Sequence, residues 1–279
     1  MSSSNGLSSI AFFSYAKAGC NQFQGSVMVK SAIRIVEIFE LFDRLQRPLT
    51  LSEVADTLGY PRSSTMALLQ SLKALDYITF DELDKQYMPT ARVALLGGWI
   101  HGRVFQDGVI VALMNQLQRE TGETVMLALQ NGMHAQYVHT VQSQELLRFY
   151  LRPGMMRPMC RSAVGLALLA QQSSERVKRL VDSINEQKID PQGPISLASI
   201  VRSLENIRVQ GYAYSDKVTA DSCAIAIVLP NRPGQPPTAL GVSGPTRRLA
   251  KQRELIYRLM KELAMEHLSA RFPIRRPVK

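Results

Sequence analysis

The stretch Pro61-Arg62-Ser63-Ser64-Thr65 opens a helix on polar residues where a core helix would carry apolar ones. Free backbone N–H groups at a helix start favour anions. Arg62, Ser63 and Ser64 there could meet phosphates or base edges. Thr65 belongs to the same start and also to the helix's inward face. Further along the outer face, Gln70 can pair bidentately with adenine, and Met66 and Ala67 offer apolar contact, as to a thymine methyl. Arg47 before the helix pair and Lys85 after it are candidate phosphate contacts. The chemistry on offer is recognition of double-stranded DNA.

Catalytic chemistry is poorly provided for. The segment Gly241-Val-Ser-Gly-Pro245 lacks the G-x-S-x-G of a nucleophile elbow. Cys160 and Cys223 have no base at recognisable spacing, and nucleophilic catalysis needs one. The histidines (His101, His134, His139, His267) are scattered, with no zinc-like spacing. No catalytic residue, metal or cofactor is assigned. The three cysteines are odd in number and far apart, which excludes a disulfide framework and fits a reducing, cytoplasmic setting.

The chain has 279 residues, 46% of them apolar, enough for one large domain or two ordinary ones. No run approaches the roughly 18 apolar residues of a membrane span. Residues 1–27 are expected to form a disordered tail. They lack a signal peptide's basic start, and Met28 would serve as an alternative first residue. The net charge of +10 suggests a polyanion partner, but its location matters. Residues 28–105 carry nine basic and nine acidic groups, whereas residues 106–279 carry 23 basic and 14 acidic. DNA binding by the first region must therefore rest on where its charges point.

Periodicity supplies the elements. Ile35, Ile38, Phe39 and Phe42 fall on one helical face. Thr50 and Glu53 make a capping box, and Gly59 ends the short helix that buries Val54, Ala55 and Leu58. Pro61 begins the next helix, which buries Thr65, Leu68, Leu69, Leu72 and Leu75. Residues 77–81 and 86–91 flank a polar turn as a hairpin. Helix, helix, helix, hairpin is the order of a winged helix-turn-helix, with the DNA-binding unit at 28–90. Residues 91–106 read as a linker helix. An amphipathic helix over 107–121 leads into three strands, "ETVMLALQ", "HAQYVHTVQ" and "LLRFYLR". Helices follow at 162–172, 174–186 and 197–210, then the strands "YAYSD", "CAIAIVLP" and "TALGVSG". A last helix over 247–270 has Leu255, Leu259, Leu263 and Met265 inside. Strands flanked by helices at both ends make 107–271 an α/β sensor-like domain, followed by a basic tail at 272–279.

Ala55 and Gly59, at the fifth and ninth positions counted from Leu51, suit a helix-turn-helix, where the second helix enters the major groove. The competing reading is an αα-hairpin that only packs. On that reading the chain is a sensor module, or a hydrolytic enzyme, whose N-terminal helices make protein contacts.

Six ordered blocks carry a resemblance. "KSAIRIVEIFELF", "PLTLSEVADTLGYPRSSTMALLQSLKALDYI", "ETGETVMLAL", "RSAVGLALLA", "GYAYSD" and "GVSGP" are similar to successive blocks of the IclR family of bacterial transcriptional regulators. The resemblance runs from about Val29 to about Leu268. It implies an α+β chain with an N-terminal winged helix-turn-helix, a linker helix and a C-terminal GAF-like α/β effector-binding domain. It also implies a homodimer, often paired into a tetramer on DNA. Departures stand at Met66 and Ala67, where the family carries larger polar or basic residues, and at Leu166, where it usually has lysine. The loop "KVTADSCAIA" lacks the family's Pro-Gly.

By that resemblance the effector pocket is lined by Ser162, Ala163, Val164, Gly165, Ser215, Asp216, Cys223, Ala224, Gly241 and Ser243. Small residues at a helix start leave N–H groups for a carboxylate. Arg148, Arg152, Arg157 and Arg161 precede that start and favour an anion, with Arg148 included among the effector contacts. Met155, Met156 and Met159 could shape an adaptable wall or be plain core. The expected effector is a small organic acid, in the family's manner a carboxylate or aromatic acid. Dimerisation is expected through Leu95, Leu96 and Trp99.

Overall fold

Thr50 and Glu53 form the capping box their spacing predicts. In the computed structural model, Thr50 Oγ1 accepts from the Glu53 N–H at 3.3 Å, and the Glu53 carboxylate accepts from the Thr50 N–H at 2.8 Å. The structure describes residues 29–98, 108–230 and 235–269. They fall into two units divided between residues 101 and 102. The 1–27 and 272–279 tails, Trp99, and residues 99–106 of the expected linker helix lie outside the described residues.

The first unit contains α1 (Lys30–Leu45), β1 (Leu49–Thr50), α2 (Leu51–Leu58), α3 (Arg62–Ala74), β2 (Ile78–Asp81), β3 (Gln86–Pro89) and α4 (Ala91–Leu96). Ile38, Leu41, Phe42, Val54, Leu69, Leu72, Ile78 and Tyr87 form its core. Gly59 holds φ +70°, the left-handed conformation that ends α2 and lets the chain turn into α3. β2 and β3 make the wing, with Asp81 opposite Gln86. β1 adds to it through Leu49 opposite Tyr87. That strand is two residues long, too short to show a period. Leu75, expected inside, is 58% exposed because it lies past the end of α3.

The second unit runs α5 (Val109–Thr121), β4 (Thr124–Asn131), β5 (His134–Val141), β6 (Met156–Pro158), α6 (Ala163–Ala170), α7 (Ser174–Glu186), α8 (Leu197–Gln210), β7 (Ala213–Ser215), β8 (Ser222–Val228) and β9 (Thr238–Pro245). It closes with α9 (Thr246–Leu249), a 3-10 turn (Ala250–Gln252) and α10 (Arg253–Ser269). The strands form one antiparallel sheet in the order β6-β5-β4-β9-β8-β7. Their period of two serves two cores. Met126, Ala128, Ala226 and Ala239 face α6, α7 and α8. Val125, Leu127, Ile225 and Val242 face α5 and α10. Helices cover both faces of the sheet.

Two expectations fail. "LLRFYLR" is irregular, and the third strand is Met156–Pro158. Leu146 and Leu147 are largely exposed, while Leu151 is buried and its carbonyl accepts from Thr140 at 3.2 Å. A run without alternation has no single face to bury. The last helix keeps Leu263 inside and Leu259 packed against the core as expected, but not Leu255 or Met265. Ile256, Met260, Leu263, Ala264 and Leu268 are inside, whereas Leu255 is 66% and Met265 48% exposed.

Candidate functional site

The start of α3 is as bare as its sequence predicts. Arg62, Ser63, Met66, Ala67 and Gln70 are exposed. Arg62 lies 3.6 Å from Asp56, both in solvent, a contact that costs little to exchange for another. Ser64 Oγ donates to the Pro61 carbonyl at 2.9 Å. Thr65 is not a contact residue: it is fully buried and its hydroxyl donates to Pro61 O at 3.1 Å.

The two outlying cations are held by acids. Arg47 Nη2 lies 2.8 Å from Glu53 Oε1, and Nη1 donates to Pro48 O at 3.0 Å. Arg47 and the Thr50 donors together pull the Glu53 carboxyl down to about 2. Lys85 sits in the wing turn at φ +52° with its ammonium 3.3 Å from Glu82, and Lys73 approaches the same carboxylate at 3.7 Å. The wing tip, with Asp81, Glu82 and Asp84 beside Lys85, is net acidic. The positive end of α3, rather than the wing, is the attractive part of this surface for phosphate.

In the second unit a cavity of about 170 Å³ opens between the sheet and α6. The start of α6 supplies Ser162, Ala163 and Val164. β7–β9 supply Ser215, Ser222, Cys223, Ala224 and Ser243. Tyr137, Phe149, Tyr150, Leu151 and Arg157 complete the wall with Val218 and Thr219. Ser162 caps α6: it accepts from the Gly165 N–H at 3.2 Å and donates to Pro158 O at 2.8 Å. The N–H groups of Ala163 and Val164 have no acceptor among the described residues.

Of the expected pocket residues, four do not line it. Gly165 is a packing glycine, since a Cβ there would lie 2.3 Å from Met159 O. Gly241 is another, with a Cβ site 3.0 Å from Val164 Cγ1 and 3.2 Å from Met126 Cγ. Asp216 is exposed. Arg148 is exposed too and donates to Glu145 O at 2.7 Å. Cys223 lines the cavity, but strand alternation turns its thiol to the opposite core. Burial raises the Cys223 thiol, and Cys160 is pushed up to about 12 by burial and by Asp190. Both shifts disfavour the thiolate that a nucleophile needs.

Arg157 is the charged residue of the cavity wall. Its guanidinium lies 5.3 Å from the centre of the Tyr137 ring, has the Tyr137 side chain as a hydrogen-bond partner, and makes long contacts of 3.5 Å to Met156 O and 3.9 Å to Met155 Sδ. It forms no ion pair with any described residue. Arg161, by contrast, is closed off by Asp190 at 2.5 Å, with side chains 18% and 5% exposed. Met159 is buried core, while Met155 is half-buried against it. Among the described residues, no cluster of acids, histidines and cysteines could hold a metal, and no helix is long and apolar enough to cross a membrane.

The two units match two family models. The IclR helix-turn-helix domain covers residues 31–82, and the IclR C-terminal domain of bacterial transcriptional regulators covers residues 109–267. The chain belongs to the IclR family. Its curated IclR-type relatives include the HTH-type transcriptional regulator KdgR of Escherichia coli (strain K12), 25% identical over 86% of this chain and 91% of that protein. The HTH-type transcriptional repressor AllR of the same strain is 26% identical over 79% and 82%. Among solved structures, the Thermotoga maritima IclR superposes with a TM-score of 0.65 at 22% identity, covering 85% of this chain and 97% of that one. An IclR homolog from Microbacterium hydrocarbonoxydans, complexed with 4-hydroxybenzoate, has a TM-score of 0.65 at 18% identity over 86% and 100%. The protein is a DNA-binding transcriptional regulator of the IclR type and not an enzyme.

Proposed function

We propose that this IclR-family regulator reads operator DNA with the start of α3 and is controlled by a small carboxylate, of one-ring size, in the cavity of its second unit. On DNA, Arg62, Ser63 and Ser64 meet phosphate or base edges, Met66 and Gln70 meet bases, and Arg47 and Lys85 exchange their carboxylate partners for phosphate. The observation that carries the effector reading is Arg157: a cation with no acid partner, on the wall of a cavity lined by Tyr137, Phe149 and Tyr150. A cavity of about 150 Å³ can hold one benzene, so about 170 Å³ suits a single ring. The free N–H groups of Ala163 and Val164 add a second attraction for a carboxylate. The M. hydrocarbonoxydans homolog holds a molecule of this class.

The working form is a homodimer or tetramer in the cytoplasm. Leu95 and Leu96 on α4 are 75% and 60% exposed in the single chain, an apolar pair suited to a second copy. Effector binding then shifts the placement of two winged helices and so their affinity for paired half-sites.

Calorimetry with a panel of small carboxylates tests the effector reading. Arg157→Gln should weaken the best acid roughly 10- to 100-fold, the worth of a charge-assisted hydrogen bond, and leave DNA affinity without effector unchanged. Equal acid binding by the variant would refute the role of Arg157.

A further inference from the structure

The winged helix-turn-helix carries no net charge: residues 28–105 hold nine basic and nine acidic groups. A DNA-binding domain is ordinarily basic on the face it turns to phosphate. Here each cation proposed above to meet DNA is already paired with an acid: Arg47 with Glu53 at 2.8 Å, Arg62 with Asp56 at 3.6 Å and Lys85 with Glu82 at 3.3 Å. Glu53 has a second task, since it completes the capping box of α2. Asp56 and Glu82 have none.

Asp56 lies in the last turn of α2, the negative end of the helix, where an acid is unfavourable. Arg62 is its one polar partner among the described residues. Glu82 stands in the wing turn between β2 and β3. Its neighbour Asp81 braces that turn, accepting from the Leu83 N–H at 2.8 Å and the Asp84 N–H at 3.1 Å. Glu82 instead takes two cations from different elements: Lys85 of the wing and, at 3.7 Å, Lys73 in the last turn of α3. Both ammoniums also lie near the Phe80 ring, 5.1 and 5.9 Å from its centre. Two ammoniums held so close repel unless an anion sits between them. Glu82 is that anion, and a DNA phosphate carries the same charge. All five side chains are exposed, so these pairs are weak and exchange readily.

We propose that Asp56 and Glu82 are built-in stand-ins for DNA phosphate: they occupy Arg62, Lys73 and Lys85 in the free protein and hold down its affinity for DNA of any sequence. This adds Lys73 to the DNA-facing cations and rests on the reading that α3 meets DNA. Phosphate must displace the carboxylate, and the displaced carboxylate stays beside the DNA, where it cancels the charge that its cation brings. Each such acid therefore removes about one phosphate neutralisation from the salt dependence of binding.

Fluorescence anisotropy of the full chain on a scrambled duplex, over a salt series, tests it. Asp56→Asn and Glu82→Gln should each bind roughly two- to fivefold tighter than wild type, the range of an exposed ion pair. The slope of log affinity against log salt should steepen by about 0.9 for Asp56→Asn, and by about 0.9 to 1.8 for Glu82→Gln, which frees two lysines. A purely structural role for either acid would leave that slope unchanged. Asp43→Asn makes the same change of net charge on α1, outside these pairs, and should move neither quantity. The gain from Asp56→Asn should vanish in an Arg62→Ala background, and that from Glu82→Gln in a Lys73→Ala, Lys85→Ala background. Unchanged affinity and slope in either acid variant, an equal gain from Asp43→Asn, or a gain that survives loss of the cations would overturn the proposal. Arg62→Ala on a duplex from upstream of the protein's own gene separates the two levels. If it leaves that binding unchanged, the reading that α3 meets DNA fails, and the proposal with it. If it weakens that binding while Asp56→Asn gains nothing, only the stand-in role fails.

Discussion

Replacing Arg248 by alanine should loosen one wall of the cavity in the second unit. Arg248 holds Glu123 bidentately, with Nη2 2.8 Å from Oε2 and Nε bonded to Oε1. The same Nη2 donates to Leu147 O at 3.3 Å. It thereby ties the loop that carries Phe149, Tyr150 and Leu151 to the start of α9. The Glu123 side chain is 4% exposed and that of Arg248 35%. Gly244 makes room for the pair, since a Cβ there would fall 2.4 Å from Glu123 Oε2. Removing one partner of a fully buried ion pair costs about 3–5 kcal/mol. Arg248 is a third exposed, so water already screens it and the loss falls to roughly 2–3 kcal/mol. A unit of this size loses about 2–4 °C per kcal/mol. Calorimetry should therefore show the second unit melting roughly 5–10 °C lower. Effector affinity should fall with it, because the loop loses an anchor. The double change Glu123→Gln with Arg248→Met should recover much of the loss by removing the stranded charge. A single variant that melts within about 1 °C of wild type, with effector binding intact, would refute the reasoning.

Other expectations can be checked alongside. Thr50→Ala should cost the first unit about 1 kcal/mol by opening the capping box, seen as an earlier thermal transition. The Glu53 carboxyl is depressed to about 2 from an ordinary 4.5. Its contribution is therefore present above pH 4.5 and lost as the pH falls from there towards 2. Glu53→Gln should flatten that part of the stability profile of the first unit. Gly165→Ala must move the Met159 backbone, at about 1–3 kcal/mol, offset by a gain of under about 1 kcal/mol in helix propensity. A net loss of stability with weaker acid binding is expected, and an unchanged melt would contradict the packing role. In a Cys20→Ser protein, Cys160 and Cys223 should resist a thiol reagent at pH 7.5 until denaturant is added. Rapid labelling of the folded protein would contradict their burial.

The first unit was legible because its signals are local. Thr50 with Glu53, Gly59 and Pro61 set two helices within a dozen residues, and the polar face at Arg62, Ser63 and Gln70 needed no distant partner to be seen. Thr65 was legible in part: its neighbours mark it as polar, but helical spacing puts it inward, and burial decides. The cavity depends on long-range pairing, which spacing does not show. Ser162, Ala163, Val164, Ser215, Cys223, Ala224 and Ser243 come together around one cavity. Gly165 and Gly241 lie beside them but serve close packing. Four arginines precede α6, and only the fold separates them: Asp190, far along the chain, closes Arg161, while Arg157 stays open. The aromatic wall was missed. Ala135 and Tyr137 do share a strand face by alternation, which was a usable signal. Phe149 and Tyr150 sit in an irregular loop, where no period marks an inward side.

The most direct test of the account is fluorescence anisotropy with DNA from upstream of the protein's own gene, against a scrambled duplex, at fixed salt and with the carboxylate panel added. We expect own-region DNA to bind roughly 1000-fold tighter, Arg62→Ala to remove most of that preference, and one acid to change the affinity in wild type but not in Arg157→Gln. Equal, steeply salt-dependent binding to both duplexes, indifferent to every acid, would contradict it.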